Sequence, residues 1–360
     1  MNKICWTGGG TGGHIYPALA LVFALQERQG EKIEHFWIGQ NRGMDRAIVE
    51  AAGIRFYGIS AGKLRRSFSI KNIIDCFKVI AGFFAARRIL KCEKPGLLFS
   101  KGGFVSVPPV FAAATLGIPV HTHESDFSAG LATKLNSFFA SRIWLAYSET
   151  ALCFSSKIRE KCRECGNPVR AAFRSASAEK GRAFIEQQSA QKIPHQKKIL
   201  LVLGGSQGAR EVNLLVRESL NFLTRHFFIV HQTGVEENRE NAEFYFDIPY
   251  IKDEMPDVLA SAALVLGRSG AGTVWEAAAA GVPMVLIPLA GSGTRGDQIE
   301  NARYFERHGA ALVLIHPERA EFETALEMLI NDEGRLDKMT AAAKKLGAFD
   351  ATKIILEEIS

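Results

Sequence analysis

The sequence predicts an α/β protein made of two doubly wound, parallel-sheet domains. Three observations carry that expectation. Short β-branched and apolar runs alternate with helical runs almost from end to end, the alternation restarts after residue 198, and each half opens with a strand, a glycine loop and a helix. A length of 360 residues favours two domains over one or four. Hydrophobic content of 47% with 23% charged residues excludes collagen-like, disordered and disulfide-scaffold classes.

In the first half, strands are expected at 3–7, 33–38, 55–59, 97–100, 119–123 and 142–146. Helices fill the intervals, among them 17–29, 44–52 and 109–116, with Pro17 and Pro109 at helix starts and Gly30, Gly53 and Gly117 at helix ends. Polar residues 175–198 lead into the second series, with strands at 199–203, 227–231, 246–251, 264–267, 283–288 and 311–315. Gly166-Asn167-Pro168 is the expected hinge, because Pro168 restricts its predecessor and stops any helix. Domains of 1–166 and 167–345 follow, and then an amphipathic helix at 346–360 whose packing partner the pattern leaves open.

No segment reads as a membrane span. The longest charge-free windows, 104–120 and 277–294, are cut by Pro108, Pro109, Pro119, Gly281 and Pro283, whereas a spanning helix needs ~20 predominantly apolar residues. Met1-Asn2-Lys3 runs straight into a strand without the order of a secretory leader, so a cytoplasmic location is expected. The six cysteines show no framework spacing, and Cys162-x-x-Cys165 lacks a second ligand pair for zinc.

Charge is localised. Of the net +6, residues 63–94 supply +7, from nine basic side chains (Arg87 and Arg88 among them) and two acidic ones. A nucleic-acid reader would spread its basic residues along a groove, so no nucleic-acid partner is expected. Here they surround an apolar helical stretch in which Ile73, Phe77, Ile80 and Phe84 share one face, part of it expected to meet the core. Ile74 and Phe83 widen the apolar sector. A basic, aromatic-bearing helix suits an anionic bilayer surface, at about 1 kcal/mol per Lys or Arg near it.

Three glycine segments sit at strand ends: Gly8-Gly9-Gly10-Thr11-Gly12-Gly13-His14, Ser100-Lys101-Gly102-Gly103 and Gly204-Gly205-Ser206-Gln207-Gly208-Ala209-Arg210. Glycines between strand and helix let backbone N–H groups approach an anion, and the helix dipole adds to the field there. No Gly-Lys-Ser/Thr completes a phosphate loop. Gly8-x-Gly10-x-x-Gly13 lacks the acidic residue of a dinucleotide fingerprint, since Gly39-Gln40-Asn41 stands where it belongs. The densest polar signature is Arg268-Ser269-Gly270-Ala271-Gly272-Thr273 with Glu276 one turn on, a carboxylate able to hold a vicinal diol such as a ribose. Asp297 and Gln298 follow at the next strand–helix junction.

Taken together and in order, the segments 8–14, 166–170, 204–210 and 268–276, with His123-Glu124-Ser125 and Gln298-x-x-Asn301, resemble the MurG family of bacterial glycosyltransferases, from residue 3 to about 346. The resemblance implies a GT-B fold, with two Rossmann-like domains facing a central cleft and the terminal helix packed back on the first. It implies inverting transfer of N-acetylglucosamine from UDP-GlcNAc to the muramoyl 4-hydroxyl of undecaprenyl-pyrophosphoryl-MurNAc-pentapeptide (lipid I), giving lipid II and UDP in peptidoglycan synthesis. The first domain would then rest on the cytoplasmic face of the cell membrane, among other cell-wall synthesis proteins serving cell shape and division.

By position, the resemblance puts Ser206, Gln207 and Gly208 at the UDP diphosphate, Arg170 at the nucleotide and the Ile251 backbone at the uracil. Glu276 would hold the ribose, with Arg268, Ala271, Gly272 and Thr273 beside it, and Gln298 and Asn301 would read the sugar. Thr11, Gly12 and Gly13 complete the cleft. Many members read His-Glu-Gln-Asn where this chain has His123-Glu124-Ser125-Asp126, so Asp126 is carried over as a sugar contact with a changed side chain; Asp297 likewise replaces a Gln. His14 is the expected base, its unperturbed pKa of ~6.5 lying near working pH, and Glu124 the runner-up. No Asp-x-Asp metal site is present, and no tightly bound metal or cofactor is expected. A UDP-GlcNAc epimerase, another GT-B transferase with a lipid acceptor, and a non-catalytic nucleotide-sugar module remain the alternatives.

Overall fold

Parallel pairing organises both halves of the chain. The computed structural model describes residues 2–10, 12–29, 32–41, 43, 45–62, 70–204, 208–234, 242–291, 296–332 and 334–359. Two units form, Met1–Arg170 with Asp350–Ser360, and Ala171–Phe349. Unit 1 holds β1 (Lys3–Thr7), β2 (Glu34–Gln40), β3 (Arg55–Ile59), β4 (Leu97–Ser100), β5 (Val120–Glu124), β6 (Arg142–Leu145) and β7 (Cys162–Glu164), in the order β3-β2-β1-β4-β5-β6-β7. Unit 2 holds β8 (Lys198–Leu203), β9 (Phe227–Gln232), β10 (Tyr245–Ile248), β11 (Leu264–Gly267), β12 (Met284–Leu286) and β13 (Ala311–Val313), in the order β10-β9-β8-β11-β12-β13.

Each sheet therefore reverses its winding once, between β1 and β4 and between β8 and β11. In an open parallel sheet that reversal leaves a crevice beyond the strand carboxyl ends, where ligands bind. The register brings the crevice walls level: Thr7 pairs with Ser100 in unit 1, and Leu203 with Gly267 in unit 2. The glycine segments that follow these four strands thus start side by side. Both faces of the strands are buried, as their near-continuous apolar runs require.

The twelve expected strands all form. β7 was not foreseen, since its Cys-Arg-Glu run is polar and mostly exposed at a sheet edge. Pro17 does not start its helix. The helix spans Gly12–Gln29, and Pro17 forgoes only the bond to the carbonyl of Gly13, an exposed residue near the helix start. The last helix runs Ala351–Ile359, because Leu346 and Gly347 close the preceding helix Arg335–Gly347 and the Asp350 carboxylate accepts the Lys353 N–H at 3.2 Å. Its Ala351, Ile355, Leu356 and Ile359 join the unit 1 core beside Trp6, Ile15, Leu19 and Val22. Glu358 bridges Arg142 and Arg163 on the same unit.

The helix Ile70–Glu93 reverses an expectation. Its core side is Ala86 and Leu90, with Phe83 half-buried against them, whereas Phe77, Ile80 and Phe84 are 69%, 52% and 64% exposed. The aromatic stripe faces outward, and Phe83 is not part of that outer face. The side chains of Ile73 and Ile74, and residues 63–69 with their three basic side chains, lie outside the described residues. Phe138 and Phe139, after the helix Leu131–Ser137, are also exposed, and Phe139 stacks on Phe111 at 4.4 Å between ring centres. No helix among the described residues is long and apolar enough to cross a membrane.

Buried histidines tie stability to pH. Burial pushes the pKa of His35 and of His121 down to about 4, and that of His231 to about 3, where the Arg217 charge adds to it. His231 is held neutral between the Tyr245 hydroxyl at 2.9 Å and Asn213 at 3.1 Å. An unfolded chain protonates these rings near pH ~6.5 and the folded chain does not, so stability is full above that pH and falls as pH drops toward 4. Urea denaturation at pH 7 and at pH 5 is expected to show a loss of roughly 1 kcal/mol or more per ring.

Candidate functional site

At the unit 1 reversal two loops interlock through their backbones. The Trp37 indole donates to the Gly8 carbonyl at 3.1 Å, and the Gly10 N–H donates to the buried Asp45 carboxylate at 3.1 Å. A Cβ on Gly9 would collide with that carboxylate. Burial raises the Asp45 pKa against the pull of its backbone donors. The second loop closes from the other side. Gly103 (φ +77°) leaves no room for a Cβ, which would sit 2.5 Å from the Gly9 carbonyl and 3.2 Å from the His14 ring.

Lys101 links the two loops. Its N–H donates to the Thr7 carbonyl at 2.8 Å, and its carbonyl lies 3.1 Å from Nδ1 of His14. A carbonyl only accepts, so Nδ1 of His14 carries the hydrogen and Nε2 holds the basic lone pair. That is the tautomer a general base needs, as in hydrolase triads, with a peptide oxygen in place of a carboxylate. Gly12 and Gly13 open the same helix; Thr11 lies outside the described residues.

Glu124 has a different task from the one expected. Its carboxylate accepts the N–H groups of Ser125 (3.0 Å), Asp126 (3.2 Å) and Gly130 (2.9 Å) and so shapes the 125–130 turn. Its two oxygens are thereby committed to holding three main-chain N–H groups in place. Asp126 is half-buried on that turn. Beneath it, the Lys101 ammonium meets His123 Nδ1 at 2.8 Å, Asn167 Oδ1 at 3.2 Å and Ser125 Oγ, while His123 Nε2 donates to the Gly166 carbonyl at 2.9 Å. Burial, then the Lys101 charge, holds the His123 pKa well below its usual value. The thiols of Cys162 and Cys165 turn to backbone carbonyls.

Unit 2 repeats the plan at its own reversal. Gly208 (φ +74°) leads into the helix Arg210–Glu218, and Gly270 into Ala271–Ala279. Ser206 and Gln207 lie outside the described residues. Ala271, Gly272 and Thr273 form the first turn of their helix and Glu276 the second, all half-buried. Arg268 is spent within the protein, on the carbonyls of Ile287 (3.0 Å) and Pro288 (3.1 Å) and on Glu211 at 2.7 Å. His316 meets the other Glu211 oxygen at 2.7 Å. Burial opposes the Glu211 charge, but those two partners outweigh it and hold its pKa below the usual range.

Two further expectations change. Asn301 is fully buried and donates to the Ser269 carbonyl at 3.3 Å, so it braces the turn after β11 from within the protein. The Ile251 N–H donates to Gln232 at 2.9 Å, which narrows the expected uracil contact to its carbonyl. Gln298 is half-buried, its side-chain oxygen accepting the Leu289 N–H at 2.9 Å while its carbonyl accepts the Ser269 hydroxyl at 2.7 Å. Arg170 is half-buried at the unit 1 terminus. Lys101, Asp45, Asn167 and Glu211 escaped the sequence reading as site residues. Lys101 and Asn167 carried a signal, lying inside a glycine segment and the 166–170 segment already singled out.

Two parallel α/β units, each with glycine loops at its winding reversal and a polar first helical turn beside them, define a nucleotide-sugar enzyme of the two-domain glycosyltransferase type. The model of the glycosyltransferase family 28 N-terminal domain matches residues 4–145, and that of its C-terminal domain residues 199–355. The chain belongs to glycosyltransferase family 28, on its MurG branch. A relative from Treponema denticola, named UDP-N-acetylglucosamine--N-acetylmuramyl-(pentapeptide) pyrophosphoryl-undecaprenol N-acetylglucosamine transferase, is 45% identical over 99% of this chain and 97% of its own. A relative of the same name from Treponema pallidum is 44% identical over 99% and 94%. Among solved structures, Acinetobacter baumannii MurG aligns with a TM-score of 0.75 at 24% identity, over 100% of this chain and 99% of that one. A Neisseria meningitidis UDP-GlcNAc 2-epimerase bound to UDP-GlcNAc shares the fold at a TM-score of 0.69 and 17% identity, over 99% of each chain.

Glu124→Gln replaces one acceptor oxygen with a donor and leaves at least one buried N–H unpaired. A stability loss of roughly 1–3 kcal/mol is expected, read as a lower urea midpoint with unchanged slope. Any activity loss should be recovered on cooling, which an essential base would not permit.

Proposed function

We propose that this chain transfers N-acetylglucosamine from UDP-GlcNAc to the 4-hydroxyl of the muramoyl sugar of lipid I, with inversion, releasing UDP. The observation that supports this most is the His14 imidazole at the unit 1 reversal, whose Nδ1 faces the Lys101 carbonyl at 3.1 Å, so that Nε2 is the basic nitrogen of the ring. Relatives 44–45% identical along nearly the whole chain carry the name of that activity.

In this reading Nε2 of His14 takes the proton of the acceptor hydroxyl as its oxygen attacks C1 of the GlcNAc. The C1–O bond to the diphosphate breaks on the opposite face and its electron pair leaves with UDP, so a β linkage forms. The N-termini of the helices Arg210–Glu218 and Ala271–Ala279, which follow Gly208 and Gly270, would supply N–H groups and positive dipole ends to the diphosphate. Ser206, Gln207, Gly208 and Arg170 would complete its binding, Glu276 the ribose contact and Gln298 the sugar contact. No tightly bound metal or cofactor is invoked. The exposed Phe77, Ile80 and Phe84, with Arg87 and Arg88 on the same helix, form the surface that meets an anionic membrane on its cytoplasmic side.

Radiolabelled UDP-GlcNAc and a short-chain lipid I analogue test the reading directly. His14→Ala is expected to lower kcat by about 100-fold or more, and a change of only a few-fold removes the base assignment. Glu276→Ala should chiefly raise the donor KM. Vesicle pelleting separates the lipid-linked transferase from an epimerase: Phe77→Asp with Phe84→Asp should abolish binding to anionic vesicles and spare turnover of a soluble acceptor analogue.

A further inference from the structure

Lys101 is fully buried, and putting an ammonium there costs several kcal/mol of solvation that an apolar side chain would not incur. Burial pushes its pKa down to about 8. Among the described residues it meets no carboxylate at ion-pair distance. Its three N–H bonds instead match three acceptors. His123 presents Nδ1 as a lone pair because its Nε2 hydrogen is committed to Gly166, and Asn167 offers Oδ1. Ser125 turns a lone pair to the ammonium while its own hydrogen goes to Asn167 at 3.0 Å. With Lys101 protonated and His123 neutral, every donor and acceptor of the cage is matched.

The main chain of the same residue points the other way, its N–H on Thr7 and its carbonyl on His14. The next two residues, Gly102 (φ +83°) and Gly103 (φ +77°), have backbone freedom that lets this loop take other paths. What removes that freedom at residue 101 is the anchoring of both its ends. We infer that Lys101 is a positioning residue, whose caged ammonium locks the peptide carbonyl that keeps His14 as the Nδ1–H tautomer. The effect on catalysis rests on the transferase reading; the effect on the ring does not.

Lys101→Met keeps the unbranched stem, one atom shorter, and removes all three donors. Nitrogen-15 NMR of imidazole-labelled protein, with the His14 signal identified by its loss in His14→Gln, reads the tautomer without any substrate. The wild-type chain should show His14 with Nδ1 protonated, and Lys101→Met a mixture of the two neutral forms. With it, kcat should fall by about tenfold or more while the UDP-GlcNAc KM stays within about threefold. Ser125→Ala, which removes one acceptor of the cage, should move the ring part of the way, and Ser125→Thr, which keeps the hydroxyl, should not. This pair decides the matter if Lys101→Met does not fold. A His14 ring unaltered in both Lys101→Met and Ser125→Ala overturns the inference. An altered ring with unaltered kcat upholds it and removes the base role of His14 instead.

Discussion

Thr7 lies beside Ser100, and most of what happens in unit 1 follows from that register. Two parallel strands that end level must send their connections out at the same height. When those strands flank the point where the winding reverses, no helix fills the space above them. The loops then have to satisfy their backbone groups on each other. The Lys101 peptide does so in both directions, and Gly103 passes so close to the Gly9 carbonyl that it tolerates no side chain. Unit 2 is built on the same constraint, with Leu203 beside Gly267 and Arg268 folded back onto the carbonyls that follow β12.

The polar residues of the site divide by what their hydrogen bonds leave over. Glu124, Asp45, Asn301 and Arg268 meet protein groups and hold backbone in place, the more firmly because a buried unpaired donor is costly. His14 differs because the Lys101 carbonyl sets its tautomer and so puts the basic lone pair of the ring on Nε2. A site in which most polar side chains are scaffold and few are working groups is what preorganisation demands, since a reacting group helps only when its neighbours hold it still.

Much of this was legible beforehand, for reasons that differ between residues. Strands covered on both faces must be apolar along their length, so twelve of the thirteen announced themselves, whereas β7 is short, polar and at an edge. Glycine segments marked the loops because only glycine fits there. What could not be read was the direction of a side chain. Phe77 and Phe84 share a helical face with the right spacing for a core, yet it is the opposite side, around Ala86 and Leu90, that packs. Asn301 and Glu124 sit in motifs beside working residues, and nothing in their identity distinguishes a brace from a contact. Lys101 reads as one more surface lysine until two distant segments, 123–125 and 167, close over it.

The helix Ala351–Ile359 follows all of unit 2 in the chain and packs into unit 1. Domains made on the ribosome generally fold in the order they emerge. Here the first unit must wait, its core open where Ile355, Leu356 and Ile359 belong, while some 180 residues of the second are translated. The nascent chain therefore exposes an unfinished apolar seam throughout that interval, a natural point of engagement for chaperones.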